Sequence, residues 1–320
     1  MITSLSRHGG SSIFVYSKLN ETARQLLREH VAPDVVVVFR ADLPADKQPD
    51  AFRLAHVVLG NPPAAWFAQP LPNLQFWQLD SAGFDGYKDV RLNVPVANVG
   101  DLFAWPCAET MVAGILALYR RIAELAVLQS RGEWVGAPVR RRTDLLRHKS
   151  VVILGAGAIG QAVRQMLTGF GCSVKLLART DPRAELHSVD ELKAALPQTD
   201  IVINCLPGTA AGFMSADVIA TMKPDSLYAN VGRGSTTDEP ALIAALQTGH
   251  LGGAVLDVTE TEPLPTDSPL WTLPNVLLTQ HTGGGRPDED EGKVDVFLRN
   301  WTHFQNGELL DHPVDLTKGY

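Results

Sequence analysis

The stretch from Ser150 to Thr180 constrains this chain more than any other. Val151 to Leu154 is a short apolar run rich in β-branched residues, the composition of a buried parallel strand. Gly155, Gly157 and Gly160 follow as G-x-G-x-x-G where that strand should end. In such a motif the first glycine permits a tight turn. The second lets a pyrophosphate approach the backbone, and the third lets helix and strand pack closely. Ile159, Val163, Met166 and Leu167 then recur at helical spacing, and Ser173 to Leu177 reads as a second strand. A glycine turn alone is weak evidence. Between a strand and a helix, inside a βαβ unit of about 30 residues, it reads as a dinucleotide-binding fingerprint. The N-terminus of that helix offers free N–H groups and a positive dipole end to phosphates.

The end of the second strand bears on which dinucleotide. A site for NAD usually places Asp or Glu about 20 residues into the unit, to bond the ribose 2′-hydroxyl. Here that position falls on Ala178, followed by Arg179 and Thr180. Ala178 removes a carboxylate that would repel a 2′-phosphate, Arg179 brings a planar cation and Thr180 a hydroxyl. NADP(H) is therefore favoured and NAD(H) stays open; Asp181 nearby is the residue that argues the other way.

The rest of the chain continues the pattern. Ile13–Tyr16, Val35–Phe39, Ala55–Leu59, Phe76–Leu79 and Val94–Val99 are strand-like, with a helix near 21–30. Beyond Thr180, strands at 201–205, 226–231, 253–257 and 276–279 alternate with helices near 188–196, 215–222 and 238–248, which calls for a parallel doubly wound sheet. Residues 105–129 read as one long helix whose face carries Met111, Ile115, Leu118, Ile122, Leu125 and Leu128. Its length exceeds what a crossover needs and points to a second subunit. Residues 288–306 form a last helix with Val294, Phe297, Leu298 and Trp301 on one side.

Composition excludes several classes. A net charge of −7 argues against direct nucleic-acid binding. No apolar run approaches the roughly 18 residues of a membrane helix, and the opening residues carry no apolar signal core. Cys107, Cys172 and Cys205 are odd in number, lack metal spacing and suit a reducing cytoplasm. No metal site is expected.

Ligands of open α/β sheets lie beyond the carboxyl ends of the strands. Arg233, Glu262 and His281 fall there. Singly, each also suits a surface cation, a helix-start acid before Pro263, or one loop histidine among nine. Together, in this order after a dinucleotide fingerprint, they are much harder to dismiss. With Ser81-Ala82-Gly83-Phe84-Asp85, Ala108-Glu109, Leu206-Pro207, Asn230-Val231-Gly232-Arg233-Gly234 and Asp257 through Pro263, the chain resembles the D-isomer-specific 2-hydroxyacid dehydrogenases over nearly its whole length. Within them it is most similar to the shorter glyoxylate/hydroxypyruvate reductases.

The resemblance implies two doubly wound parallel-sheet domains. Residues 1–100 and 287–320 would form a flavodoxin-like substrate domain, and residues 101–286 an NADP-binding Rossmann domain, with the cleft between them and the long helix in a homodimer interface. It implies that Arg233 binds the keto-acid carboxylate and polarises the carbonyl. His281 is then the general acid, and Glu262 orients it. Gly155, Gly157, Ala158, Ile159, Gly160, Ala178, Arg179, Thr180, Cys205, Leu206, Pro207, Val231, Gly232, Arg233, Asp257, His281 and Gly283 would meet the cofactor, Asp257 at the nicotinamide carboxamide. Ser81, Ala82, Gly83, Arg233 and His281 would meet the substrate, a small 2-keto acid reduced by hydride transfer. Trp66, Phe84 and Trp105 suit pocket walls or core equally well. This chain has Gln280 where many members carry Pro before the histidine, and it keeps Glu262 where the formate dehydrogenases have Gln. Related corepressors share the fold and much of the set, so a nucleotide-sensing binding protein is the alternative to an enzyme.

Overall fold

Side chains that alternate between the two faces of short, buried strands meet different helices on each side of the two sheets. The computed structural model describes residues 11–319. It divides into two compact units. One holds the described residues up to Leu102 together with those from Arg286 on, and the other is Phe103–Gly285.

In chain order, the first unit begins with β1 (Ser12–Val15), α1 (Glu21–His30), β2 (Val36–Phe39), α2 (Gln48–Leu54), β3 (Val57–Leu59), β4 (Phe76–Gln78) and β5 (Val96–Ala97). The second contains α3 (Ala104–Tyr119), α4 (Ile122–Ser130), α5 (Ala137–Arg140), β6 (Ser150–Leu154), α6 (Ala158–Thr168), β7 (Ser173–Leu177), α7 (Val189–Ala195), β8 (Ile201–Asn204), α8 (Ala216–Ala220), β9 (Leu227–Asn230), α9 (Glu239–Gln247), β10 (Gly253–Leu256) and β11 (Val276–Leu278). The chain then returns to the first unit with α10 (Glu289–Asn306).

The first sheet is parallel, in the order β2-β1-β3-β4-β5, which is the flavodoxin-like winding. Side chains alternate across it. Ile13 and Val15 face Ala23 and Leu27 of α1 and Val294, Phe297 and Trp301 of α10. Phe14 faces the other way, toward Phe52, Trp77 and Leu79. Trp66 and Phe84 pack with that second layer, so both belong to core. The segment after α10 pairs antiparallel with β5 through Pro313, which ties the chain end to this unit.

The second sheet runs β11-β10-β9-β8-β6-β7, all parallel. A Rossmann sheet carries a further strand beyond β7; here it is reduced to one parallel bridge between Leu177 and Leu186. With that bridge counted, the winding is the doubly wound order, and it reverses between β6 and β8. Val151 and Ile153 meet Met111 and Ile115 of α3 and Val163 and Leu167 of α6. Val152 and Leu154 meet Leu192, Val218, Ile219, Leu242 and Leu246 from α7, α8 and α9. Each such fully buried aliphatic side chain contributes about 1.5–3 kcal/mol.

The single helix expected over 105–129 is two helices. Arg121 stands between them with φ +58, in the left-handed region, so the helical ladder cannot run through. Packing explains the break. Met111 and Ile115 are fully buried, whereas Ile122 and Leu125 of α4 are 54% and 40% exposed. The apolar stripe is continuous in sequence, but only its first half reaches this core.

Candidate active site

The glycines of the fingerprint do separate things. Gly155 has φ +102, and a Cβ there would lie 3.1 Å from the Cys205 carbonyl oxygen. At Gly160 a Cβ would come within 2.2 Å of the Gly155 carbonyl oxygen, so α6 could not sit this close to β6 with any larger residue. At Gly157 a Cβ would meet none of the described residues within 4 Å. That open side lies beside the N-terminus of α6, which has no side-chain cap among the described residues. A bare helix start, an open glycine and the switch point between β6 and β8 together fit a dinucleotide pyrophosphate.

At the end of β7, Arg179 and Thr180 are exposed and Ala178 half-buried. The carboxylate that counted against NADP(H) is occupied. Arg183 donates from Nε and Nη2 to the two Asp181 oxygens at 2.9 and 2.6 Å, and from Nη2 to the Ala156 carbonyl of the glycine turn at 3.2 Å. The Arg183 guanidinium holds the Asp181 carboxyl down at about 2. Sequence reasoning missed Arg183, because its value lies in the pairing and not in its spacing. Asp181 is thus a neutralised pair, and a second cation stands beside the glycine turn.

Arg233, half-buried, sits between two glycines. A Cβ at Gly232 would lie 2.4 Å from the Leu206 carbonyl oxygen, and one at Gly234 1.8 Å from that of Thr259. The arginine loop is therefore pressed between the Cys205-Leu206-Pro207 loop and the loop that carries Glu262. Glu262 accepts from the Thr259 N–H at 3.1 Å with one oxygen. Its other oxygen lies 2.6 Å from His281 Nδ1. Because a carboxylate only accepts, Nδ1 carries the proton and Nε2 is left to act. A cavity of about 390 Å³ lies against the pair, walled by Leu256, Pro263, Trp271 and Leu278.

His281 itself is held by Asp257. Gln280 and His281 both have positive φ, +54 and +56. Two successive non-glycine residues there are strained, and neighbours must hold them. The His281 N–H donates to the Asp257 carbonyl at 2.6 Å. Asp257 Oδ1 accepts from Thr279 Oγ1 (2.6 Å), Thr282 N (3.0 Å) and Gly283 N (3.0 Å). Gly283 must be glycine, since a Cβ would lie 2.7 Å from Asp257 Oδ2. Oδ2 keeps acceptor capacity, although Asp257 is 4% exposed. Proline at 280 could not take φ +54, so the departure at Gln280 goes with this turn shape.

Ser81, Ala82 and Gly83 lie in the other unit, after β4. Their carbonyls are tied down: Ser81 Oγ donates to Gly83 O at 2.6 Å and Asn98 Nδ2 to Ala82 O at 2.7 Å. Asn61 Nδ2 supports Ser81 Oγ at 2.8 Å. The N–H groups of Ala82 and Gly83 have no acceptor among the described residues, which leaves them open to an anion. The three cysteines are free, and burial pushes the Cys107 thiol up to about 12 and raises that of Cys205, so neither is a nucleophile at neutral pH. Among the described residues no group of three metal-ligating side chains is assembled, and no helix is long and apolar enough to cross a membrane.

A doubly wound parallel sheet with a glycine turn at its switch point, and an acid–imidazole pair along its carboxyl edge, is the framework of a dinucleotide-dependent dehydrogenase. The family model for the D-isomer specific 2-hydroxyacid dehydrogenase NAD binding domain matches residues 112–283. Glyoxylate/hydroxypyruvate reductase B of Escherichia fergusonii is 34% identical over 287 residues, 85% of this chain and 88% of its own. A D-isomer specific 2-hydroxyacid dehydrogenase family protein from Aeromonas salmonicida superposes with TM-score 0.83 at 28% identity, covering 96% of this chain and all of its own. The D-isomer specific 2-hydroxyacid dehydrogenase from Xanthobacter autotrophicus Py2, solved with NADPH and MES, superposes with TM-score 0.80 at 29% identity over 98% of this chain and all of its own. The chain belongs to the D-isomer specific 2-hydroxyacid dehydrogenase family and is an oxidoreductase.

Proposed function

We propose that this protein uses NADPH to reduce small 2-keto acids, of the glyoxylate and hydroxypyruvate kind, to D-2-hydroxy acids. The observation that carries the reading is the 2.6 Å contact between Glu262 and His281, with the Glu262 loop packed against that of Arg233. The Escherichia relative is named for this reaction and the Xanthobacter structure contains NADPH, which supports turnover over nucleotide sensing alone. Residues 103–285 would hold the cofactor; Arg179, Thr180 and Arg183 favour the 2′-phosphate form, with NADH as a poorer substitute.

Bound NADPH supplies the hydride to the keto carbon. Arg233 binds the substrate carboxylate with its planar fork and draws negative charge onto the carbonyl oxygen. The open N–H groups of Ala82 and Gly83 suit an anion such as a carboxylate. His281 stabilises the growing oxyanion from Nε2 and then delivers its proton there. Glu262 fixes the tautomer through Nδ1 and stabilises the cation that gives up the proton.

Two further readings go with this one. Ile122, Leu125, Val127, Trp134 and Val135 are exposed over α4 and the loop after it, with Trp134 98% exposed. Such a patch suits the interface of a homodimer. Free thiols suit the reducing cytoplasm.

The test is steady-state turnover of glyoxylate, hydroxypyruvate and larger 2-keto acids with NADPH and with NADH. A higher kcat/KM with NADPH is expected. His281→Ala should lose on the order of 10²–10⁴ in kcat while keeping NADPH affinity. Failure to reduce any 2-keto acid would sink the reading. Undiminished turnover in His281→Ala would place the acid elsewhere.

A further inference from the structure

Beneath the arginine loop lies a buried polar network that no sequence motif announces. Thr236 donates to the Arg233 carbonyl oxygen twice, from its N–H at 3.2 Å and from Oγ1 at 2.5 Å. Asn230 Nδ2 donates to the same oxygen at 3.2 Å and to Thr237 Oγ1 at 3.2 Å. Asn204, on the neighbouring strand, donates from Nδ2 to Thr236 Oγ1 (2.8 Å) and to the Tyr228 hydroxyl (2.9 Å). Tyr228 in turn lies 2.5 Å from Thr237 Oγ1. Asn204 and Thr236 are fully buried, and Tyr228 and Asn230 are each 1% exposed.

We propose that Thr236, backed by Asn204 and Tyr228, is a positioning residue that sets the height and direction of Arg233 for the substrate carboxylate. The inference rests on the reductase reading and deepens it. Three donors converge on one carbonyl, more than chain geometry requires. The peptide that carries Arg233 is thus fixed from below, while Gly232 and Gly234 let it press against the loops on either side. The directions of the bonds are consistent. Both Asn204 N–H groups are used, so the Tyr228 hydroxyl accepts from Asn204 and gives its own proton to Thr237. Burial pushes the Tyr228 phenol up to about 12, so this donor stays protonated wherever the enzyme works. In a dry interior each partner has no water to turn to, which makes the arrangement rigid. Among the described residues no hydrogen bond joins Asn204, Tyr228, Asn230, Thr236 or Thr237 to Glu262 or His281, so the proton donor has supports of its own.

The experiment compares wild type, Thr236→Val, Thr236→Ser and Tyr228→Phe, with glyoxylate as substrate. Thr236→Val keeps the shape and removes the hydroxyl. It should raise KM and lower kcat/KM, toward the ~10²-fold that a misplacement of about 1 Å costs. The Kd for NADPH, read by fluorescence titration, should not move, nor should the pH profile of kcat. Thr236→Ser should restore kcat/KM, and Tyr228→Phe should show a smaller loss of the same kind. Unchanged kcat/KM in Thr236→Val overturns the proposal. So does an equal loss of NADPH affinity, or no rescue by Ser, since either marks a general packing defect. Should Thr236→Val not fold, Tyr228→Phe decides by the same criteria. A wild type inert to every keto acid overturns the reductase reading itself, whereas an active wild type with an indifferent Thr236→Val overturns only the positioning role.

Discussion

The loops carrying Arg233 and His281 leave the same sheet at the same edge, and they are held by opposite means. The Arg233 loop is relaxed, with φ −140 at the arginine, and is clasped from below by buried side chains and from the sides through two glycines. The His281 loop is strained at two successive residues, and three of its polar groups converge on one carboxylate, that of Asp257. A network spreads the cost of losing any one member. A strained turn whose side-chain support gathers on one carboxylate concentrates it. Substitutions should therefore act gradedly at the arginine and abruptly at the histidine.

The largest effect tests that abruptness. Asp257→Ala takes the carboxylate from Thr279 Oγ1 and from the N–H groups of Thr282 and Gly283, which removes the side-chain anchor of the αL pair. Its kcat should fall toward the on the order of 10²–10⁴ lost with the general acid itself. A variant that keeps more than half the wild-type kcat would break the comparison. Next come the loop glycines. Gly234→Ala drives a Cβ into the Thr259 carbonyl, which must move or unfold. It should lower Tm and keto-acid kcat/KM together. Gly157→Ala meets open space within the fold, so it should leave Tm unchanged and weaken NADPH binding alone. Equal behaviour of the two glycines would mean that neither reading of their surroundings holds.

The smallest effects lie at Gln280. Proline there cannot reach φ +54, so Gln280→Pro should force a new turn and reduce kcat without touching NADPH affinity. Gln280→Gly relieves strain worth about 1–2 kcal/mol in the native turn but gives back about 0.4–1 kcal/mol through a freer unfolded chain. Denaturant unfolding should show a stability equal to wild type or slightly higher. A clear loss would mean that the turn is not strained at Gln280.

Much of this is legible in the sequence. The glycine turn, the alternation of strands with helices, and the positions of Arg233, Glu262 and His281 after strands are local patterns, and each element appears within a few residues of where its pattern puts it. The break at Arg121 was not legible, because the apolar stripe from Met111 to Leu128 is unbroken in sequence. Burial of only its first half separates α3 from α4. Nor was the neutralisation of Asp181. Spacing marks it as a carboxylate near the cofactor's ribose, and only the folded loop shows Arg183 lying across it. Asp257 is similar: its place after β10 was evident, its use as the anchor of the His281 turn was not.

The sequence by itself determined the alternation of strands with helices and which candidate residues follow strand ends. Strand, helix and turn preferences act over a few residues, and parallel strands expose their carboxyl ends on one edge. Only the tertiary structure decided which groups on that edge hold one another. Asn204, Tyr228 and Thr236 come from different strands and a turn, and they meet because β8 lies next to β9. Such pairing is set by strand order and register, whose effect on any one side chain cannot be read from its neighbours in the chain.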